Sequence, residues 1–260
     1  MSPFPILITM ICLGQAAVEK PNEEVTLKAM RQRVQESRVT LTGKANVKLQ
    51  LVEAPVFRYS DELRHIEDAG MWLWTNGGRP VAAMKVEHYQ PGIHPRPWLN
   101  CFASLSSELV TAEWDGDPKY QARQPGVTWK PLDEKPATTR PARLIQLREL
   151  ARRFTAELQE PNDNKNVHQM RLLPRPLYRY DEGLADADDG AVFGFTGTGT
   201  NPDVLLLLEL SKLGDWHFGI VGMTASGVKA RLKDAVVWEV EHKAGKGQVF
   251  DNWTYFSPSK

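Results

Sequence analysis

The feature that most constrains the fold of this chain is an internal repeat in its sequence. Residues 55–59 (PVFRY) align with residues 176–180 (PLYRY), and the alignment continues with one inserted residue to Glu87 and Glu209 and resumes at Trp98 and Trp216. The aligned positions keep their aromatic, proline or acidic character: Trp72 with Phe193, Trp74 with Phe195, Pro80 with Pro202, Glu87 with Glu209, and Trp98 with Trp216. Self-similarity over such a span predicts two copies of one folding unit.

Each copy is predicted to be a helix followed by antiparallel strands. Residues 24–37 follow Asn22, a favourable N-cap, and residues 143–159 carry apolar side chains at helical spacing. Glycine turns at residues 76–78 and 197–199 separate strand-like segments, as is typical of hairpins. We therefore expect an α+β fold of two tandem repeats, each a helix packed on an antiparallel β-sheet.

The same patterns predict the domain boundaries. Residues 1–16 are expected to be a signal peptide, residues 22–130 the first α+β repeat, and residues 142–256 the second. The intervening residues 131–141 contain three prolines, which favours an extended linker.

The two copies differ in their third strand. Lys85 and Glu87 lie on one face of this strand in the first copy, so that face is predicted to be solvent-exposed. In the second copy Leu205 and Leu207 take the same face, and burial of leucines is favourable enough to predict that they are covered. The expected cover is the helix predicted at residues 143–159.

The N-terminal segment predicts export. Residues 6–13 form a short apolar core, and Gly14-Gln15-Ala16 places small residues where signal peptidase cleaves. A retained anchor and a buried N-terminal strand are the alternatives. Ile11 disfavours lipidation of Cys12, because a lipoprotein signal has a small residue at that position. We expect a secreted or periplasmic protein with no stable membrane span after cleavage, and with Cys101 as its one remaining thiol.

The charge balance argues against nucleic acid as a partner. The chain has 32 Lys plus Arg and 32 Asp plus Glu, and its formal net charge is zero. Proteins that bind nucleic acids or anionic membrane surfaces usually carry a basic excess that neutralises phosphates. The expected partner is therefore an unknown protein, glycan or small-molecule ligand.

No catalytic residue, cofactor or metal site is predicted. The sequence lacks a Gly-x-Ser-x-Gly nucleophile motif, Cys101 lies mid-strand in the repeat alignment, and the six histidines show no zinc-ligand spacing. Asp186, Asp188 and Asp189 form an acidic loop, for which calcium binding is a weak alternative to simple solvation.

Two arginines and two tryptophans are the candidate ligand-binding residues. Arg58 and Arg179 recur at the same repeat position, either as strand ion pairs with Glu87 and Glu209 or as clamps for a carboxylate or phosphate. Trp238 and Trp253 lie near predicted strand ends, where an aromatic ring can form a binding platform.

The overall pattern resembles a family of uncharacterised secreted proteins from planctomycete-type bacteria. The residues that carry the resemblance are Phe57-Arg58-Tyr59, Leu73-Trp74-Thr75, Gly78-Arg79-Pro80, residues 103–106 (ASLS), 173–180 (LPRPLYRY), Gly194-Phe195 and 203–209 (DVLLLLE). The resemblance implies export and duplication, and brings no activity, cofactor or catalytic residue with it.

The sequence thus favours a non-catalytic extracytoplasmic binding or scaffolding module. The alternative hypothesis is a hydrolase of cell-wall or polysaccharide substrates, with catalytic carboxylates from the acidic segments. Two carboxylates facing each other across one cleft would favour the hydrolase.

Overall fold

The computed structural model describes residues 23–44, 46–114, 119–160, 163–180, 182–184, 186–241 and 252–258. The predicted signal peptide, Cys12 and His242 lie outside these ranges. Within them, no helix combines the length and the apolar character needed to cross a bilayer.

The chain is described below as a first half, residues 23–121, and a second half, residues 140–240. The first half contains α1 (Glu23–Gln35), β1 (Arg38–Leu41), β2 (Gln50–Leu51), β3 (Phe57–Asp61), a 3-10 turn (Glu62–Arg64), β4 (Ile66–Asn76), β5 (Arg79–Tyr89), β6 (Trp98–Ser104), β7 (Val110–Glu113) and β8 (Tyr120–Gln121). Strand β9 (Lys130–Leu132) follows it.

The second half has a similar succession with longer outer strands, one additional strand after its first, and no 3-10 turn among its described residues. It contains α2 (Arg140–Ala151), β10 (Phe154–Glu160), β11 (Asp163–Gln169), β12 (Arg171–Leu172), β13 (Tyr178–Arg179), β14 (Ala187–Thr196), β15 (Val204–Ser211), β16 (Trp216–Gly222), β17 (Gly227–Leu232) and β18 (Ala235–Val240). Strand β19 (Trp253–Phe256) follows it.

These strands form four antiparallel sheets. Two central sheets have the orders β2-β4-β5-β6-β19 and β12-β14-β15-β16-β9, with β3 on β4 and β13 on β14. Two smaller outer sheets have the orders β1-β7-β8 and β11-β10-β17-β18. The registers also correspond, since Ala69 lies opposite Glu87 in the first central sheet and Gly190 lies opposite Glu209 in the second.

The α+β prediction is wrong, because the chain is mostly β. Among the described residues, strands account for 49% and helices for 13%, with two α-helices. The helix predicted at residues 143–159 ends at Ala151, and Phe154 and Leu158 lie in β10. Phe154, Ala156 and Leu158 alternate inward at a spacing of two, and Phe154 and Leu158 also satisfy the four-residue spacing of a helix, which explains the error.

The two halves exchange a strand. Lys130–Leu132, at the junction of the predicted first repeat and the predicted linker, pairs with β16 of the second half, so β9 extends the second central sheet. Trp253–Phe256, within the predicted second repeat, pairs with β6 of the first half. Each half is therefore completed by the strand that follows the other half in sequence.

The central sheets pack face to face, and the outer layers cover their opposite faces. Leu205 and Leu207 are fully buried, as predicted, in a core shared with the first half, including Met71, Leu73 and Ala83. The predicted cover was wrong: α2 packs on the other face of β15, in the cluster that contains Leu206 and Leu208. Helix α1 packs in the corresponding cluster of the first half.

Candidate functional site

The predicted exposed face of Lys85 and Glu87 is buried between the two halves. Their exposed fractions are 1% and 2%. Lys85 Nζ donates to Asn201 Oδ1 at 2.8 Å and to the carbonyls of Pro202 and Met223 at 3.2 Å. The prediction failed because it considered one half alone, whereas the other half covers this face and supplies hydrogen-bond acceptors to the ammonium group.

The Glu87 carboxylate accepts hydrogen bonds from three side chains. The hydroxyls of Tyr59 and Tyr89 donate at 2.8 and 3.0 Å, and Asn201 Nδ2 donates at 3.1 Å from the other half. Burial and the Glu87 carboxylate raise the pKa of Tyr59 well above its ordinary value. These hydrogen bonds, together with the Lys85 ammonium group 3.6 Å from Oε1, stabilise the buried carboxylate.

Two further ion pairs join the halves. Arg64 donates to both carboxylate oxygens of Asp203, at 2.7 and 3.0 Å, and Arg79 donates to both of Glu209, at 2.7 and 2.9 Å. Burial raises the pKa of Glu209 despite the neighbouring Arg79 guanidinium. Bidentate pairing of this kind fixes the relative orientation of two packed surfaces.

Arg58 and Arg179 do not pair with Glu87 and Glu209. Arg58 donates to both oxygens of Asp68, at 2.9 and 2.6 Å, and Arg179 donates to both oxygens of Asp189, at 3.1 and 2.8 Å. Each arginine also donates to the carbonyl of the first residue of its helix, Glu23 or Arg140. The structure therefore places both arginines in helix–sheet contacts.

The acidic loop considered for calcium is neutralised by basic side chains. Asp189 is fully buried and accepts from Arg143 and Arg179, while Asp188 pairs with Lys212 at 2.8 Å. Burial opposes ionisation of Asp189, but the two arginine hydrogen bonds hold its pKa below the ordinary value. Asp186 is exposed. Within the described ranges, no group of three or more His, Cys, Asp or Glu side chains is arranged to hold a metal ion.

Cys101 is buried in the core between the central sheets. Burial and the neighbouring Glu87 carboxylate raise the pKa of its thiol to about 12. A thiol in that state has little nucleophilic thiolate at neutral pH.

The two candidate tryptophans have different environments. Trp253 is 4% exposed and packs between the central sheets, so its predicted role as a binding platform is wrong. It lies in β19, which pairs with β6 and forms an edge strand of the first central sheet. Trp238 is half-buried in β18 and borders a cavity of 460 Å³.

We call this cavity the Trp238 groove. It lies between the outer sheet strand β18 and the central sheet strands β16 and β9. Its lining residues are Gln124, Pro125, Gly126, Thr128, Lys130, Phe218, Ile220, Val237, Trp238, Glu239, Val240 and Asn252.

Neighbouring strands position the side chains of the groove. Phe218 and Ile220 project from β16, and Lys130, opposite Phe218 in the register, projects from β9. The Lys130 ammonium group donates to the carbonyl of Val237 in β18, which connects the two sheets across the groove. Gly222 allows close packing of the indole, since a Cβ there would lie 3.2 Å from Cη2 of Trp238.

The corresponding region of the first half is filled. Tyr120 lies opposite Ala112 as Trp238 lies opposite Ala230, and Phe256 lies opposite Asn100 as Lys130 lies opposite Phe218. In the aligned registers Phe102 takes the place of Ile220. The rings of Phe102 and Tyr120 are 5.0 Å apart, those of Phe102 and Trp114 are 5.6 Å apart, and those of Trp114 and Phe256 are 4.5 Å apart.

The second half therefore keeps open a space that aromatic side chains occupy in the first half. Phe102 is replaced by the smaller Ile220 and Phe256 by Lys130, while Phe218 and Trp238 take the places of the smaller Asn100 and Tyr120. A second cavity of 480 Å³, which includes Arg64, Gly197 and Thr198, lies beside the contact between the halves. Arg64 and Gly197 both donate to Asp203 there, so this cavity borders the interface network.

The chain matches no protein-family model, no curated protein and no solved structure.

Proposed function

We propose that this chain is a non-catalytic, exported binding protein that holds its ligand in the Trp238 groove. The observation that carries the proposal is the difference between the halves: packed aromatic rings, including Phe102 and Phe256, fill this region of the first half, whereas Ile220 and Lys130 take their positions beside an open groove in the second. Filling a cavity with apolar side chains normally stabilises a protein, so an open groove beside a half-buried tryptophan is best explained by a ligand.

Export and duplication are parts of the same proposal. The apolar residues 6–13, the small residues of Gly14-Gln15-Ala16 and the resemblance to secreted planctomycete-type proteins support export. The sequence alignment, the common strand order and the matching registers support duplication. Protein recovered outside the cytoplasm of a bacterial host should begin near Ala17 or Val18 on terminal sequencing, and an intact Met1 would contradict export.

The hydrolase alternative gains no supporting observation. Within the described ranges, the buried carboxylates of Asp61, Glu87, Asp189, Asp203 and Glu209 all accept hydrogen bonds from, or pair with, cationic or hydroxyl side chains. Carboxylates held in this way join structural elements. A glycosidase instead needs two carboxyl groups facing one substrate cleft.

The uncharged apolar dye N-phenyl-1-naphthylamine, which fluoresces when bound, tests the groove as a binding site. The double variant Lys130→Phe/Ile220→Phe places in the second half the side chains that fill the first. We expect the unmodified mature protein to bind the dye and this variant to lose that binding while it keeps its melting temperature. A Trp98→Ala variant is the control, because Trp98 is half-buried elsewhere beneath Arg33. Unchanged dye binding in the double variant would refute the proposal.

A further inference from the structure

We infer that the ligand of the Trp238 groove is a neutral saccharide, bound through one or a few sugar units of a longer chain. This inference rests on the proposed function and names the class of ligand. Three properties of the groove support it: the separate apolar and polar surfaces, the equal numbers of basic and acidic lining residues, and the hydrogen bond from Lys130 to the Val237 carbonyl at the edge of β18.

The apolar surface of the groove is formed by aromatic and aliphatic side chains. Trp238 lies on one side, and Phe218 and Ile220 form the base, both of them less than 7% exposed. An indole ring combines a large apolar face with low conformational entropy, so it can pack against the C–H face of a sugar ring at small cost.

The polar surface carries both donors and acceptors. Gln124, Thr128, Lys130, Glu239 and Asn252 line the groove. Side-chain amides and hydroxyls both donate and accept hydrogen bonds, and ammonium and carboxylate groups add strong donors and acceptors. Adjacent hydroxyls of a sugar also donate and accept in turn. The mixture therefore matches a polyhydroxyl ligand.

The charges on the groove favour a neutral ligand. Lys130 is the basic residue of its lining and Glu239 the acidic one. The Lys130 ammonium group already donates to the Val237 carbonyl, and Glu239 pairs with Lys229 at 2.9 Å. A site for a phosphate or carboxylate ligand would show an excess of basic groups.

An extended peptide fits the groove less well. Strand addition requires a row of open backbone groups along an edge strand. Val237 has no partner in the pairing of β18 with β17, where the register shifts, and its carbonyl accepts from Lys130. A basic side chain on an edge is a recognised way to block pairing with another chain.

The size of the cavity limits how much of a saccharide it can hold. Its volume of 460 Å³ lies in the lower part of the range of about 300–1,000 Å³ that is usual for small-molecule sites. The cavity therefore has room for one or a few sugar units, and the remaining units of a longer chain would extend into solvent.

Isothermal titration calorimetry with the mature protein tests the inference. The probes are linear hexasaccharides of glucose, mannose, xylose, galactose and N-acetylglucosamine. We expect at least one to bind, and Trp238→Ala to weaken binding about tenfold or more, with partial recovery in Trp238→Phe. Lys130→Phe/Ile220→Phe should abolish binding and Trp98→Ala should leave it unchanged.

The outcomes separate the ligand class from the site. If no hexasaccharide binds at millimolar concentration, or binding does not depend on Trp238, the saccharide assignment is overturned. If the double variant still abolishes binding of the uncharged dye in that case, the site stands with another ligand. A random heptapeptide library that selects Trp238-dependent binders would then identify that ligand as a peptide. If the unmodified protein binds neither the dye nor any saccharide, both proposals are overturned.

Discussion

Tyr120 and Trp238 occupy the same register position in the two halves of the chain, but their surroundings differ. Each lies opposite an alanine of the preceding strand, Ala112 for Tyr120 and Ala230 for Trp238. The Tyr120 side chain is completely buried against Phe102, whereas Trp238 borders an open groove. One position thus contributes to packing in the first half and to an accessible surface in the second.

Alanine at these two positions should have unequal effects on stability. Tyr120→Ala removes a buried ring and leaves a cavity, and we expect it to lower the free energy of unfolding by about 3 kcal/mol or more. Trp238→Ala should cost no more than about 1–2 kcal/mol, because this ring already borders open space. Urea denaturation followed by circular dichroism measures both. Equal losses in the free energy of unfolding would show that Trp238 is packed as tightly as Tyr120.

Leu207 and Leu213 test the packing of the two central sheets. Leu207 is fully buried between the sheets and Leu213 is 90% exposed. Leu207→Ala should lower the free energy of unfolding by about 2–5 kcal/mol. Leu213→Ala should change it by no more than about 0.5 kcal/mol. Similar losses in both variants, measured by urea denaturation, would argue against face-to-face packing of the halves.

The exchange of strands predicts that the halves stay together after the chain is cut. A protease site inserted between Asp133 and Glu134 leaves β9 on the first fragment, although it pairs with β16 on the second. Strand β19 makes the reciprocal contact. We expect the cut fragments to co-elute in size-exclusion chromatography and to separate only in denaturant. A cut form that also lacks residues 253–258 is the control, and it should dissociate more readily.

Asp189 should make stability depend on acid pH. Its pKa is held below the ordinary value of 3.8 by Arg179 and Arg143, so its contribution is present above that pH and is lost as the pH falls through the folded-state pKa. We expect Asp189→Asn to destabilise the protein by about 3 kcal/mol near neutral pH, because it leaves two arginines without their anion. The difference from the unmodified protein should shrink below pH 3.8.

The neighbouring residue Asp188 provides the control for this measurement. It pairs with Lys212, and both side chains are 44% exposed. Asp188→Asn should change the unfolding free energy by less than about 1 kcal/mol at any of these pH values. A constant difference between Asp189→Asn and the unmodified protein across the acid range would contradict the lowered pKa.

The sequence predicted the features that depend on local pattern and on the comparison of the two copies. Burial of Leu205 and Leu207 followed from their apolar character, and the hairpins followed from the glycine turns. The apolar stripe at residues 143–159 predicted too long a helix because Phe154 and Leu158 satisfy the spacing of a helix and that of a strand. Residues 154–160 form a strand because they pair with β17, and the local sequence does not reveal that pairing.

The candidate site was missed because it combines residues from both predicted repeats, residues 124–130 of the first and residues 218–252 of the second. Trp238 was identified as a candidate, but Lys130, Phe218 and Ile220 were not. An extended alignment contains the missing signal: Thr128-Trp129-Lys130 matches Thr254-Tyr255-Phe256, which brings Lys130 into register with Phe256. The burial of Lys85 and Glu87 was likewise missed. Asn201 of the other half hydrogen-bonds both side chains, and no sequence pattern within one repeat predicts that contact.

The most direct test of the Trp238 groove is a fluorine NMR titration of mature protein labelled with 5-fluorotryptophan. The resonance of Trp238 is assigned by its absence in Trp238→Phe, and the titrants are the five hexasaccharides. We expect that a saccharide that binds shifts the Trp238 resonance and leaves the resonances of the fully buried Trp72 and Trp216 unchanged. A titration in which a saccharide binds while the Trp238 resonance stays in place would contradict the groove as the ligand site.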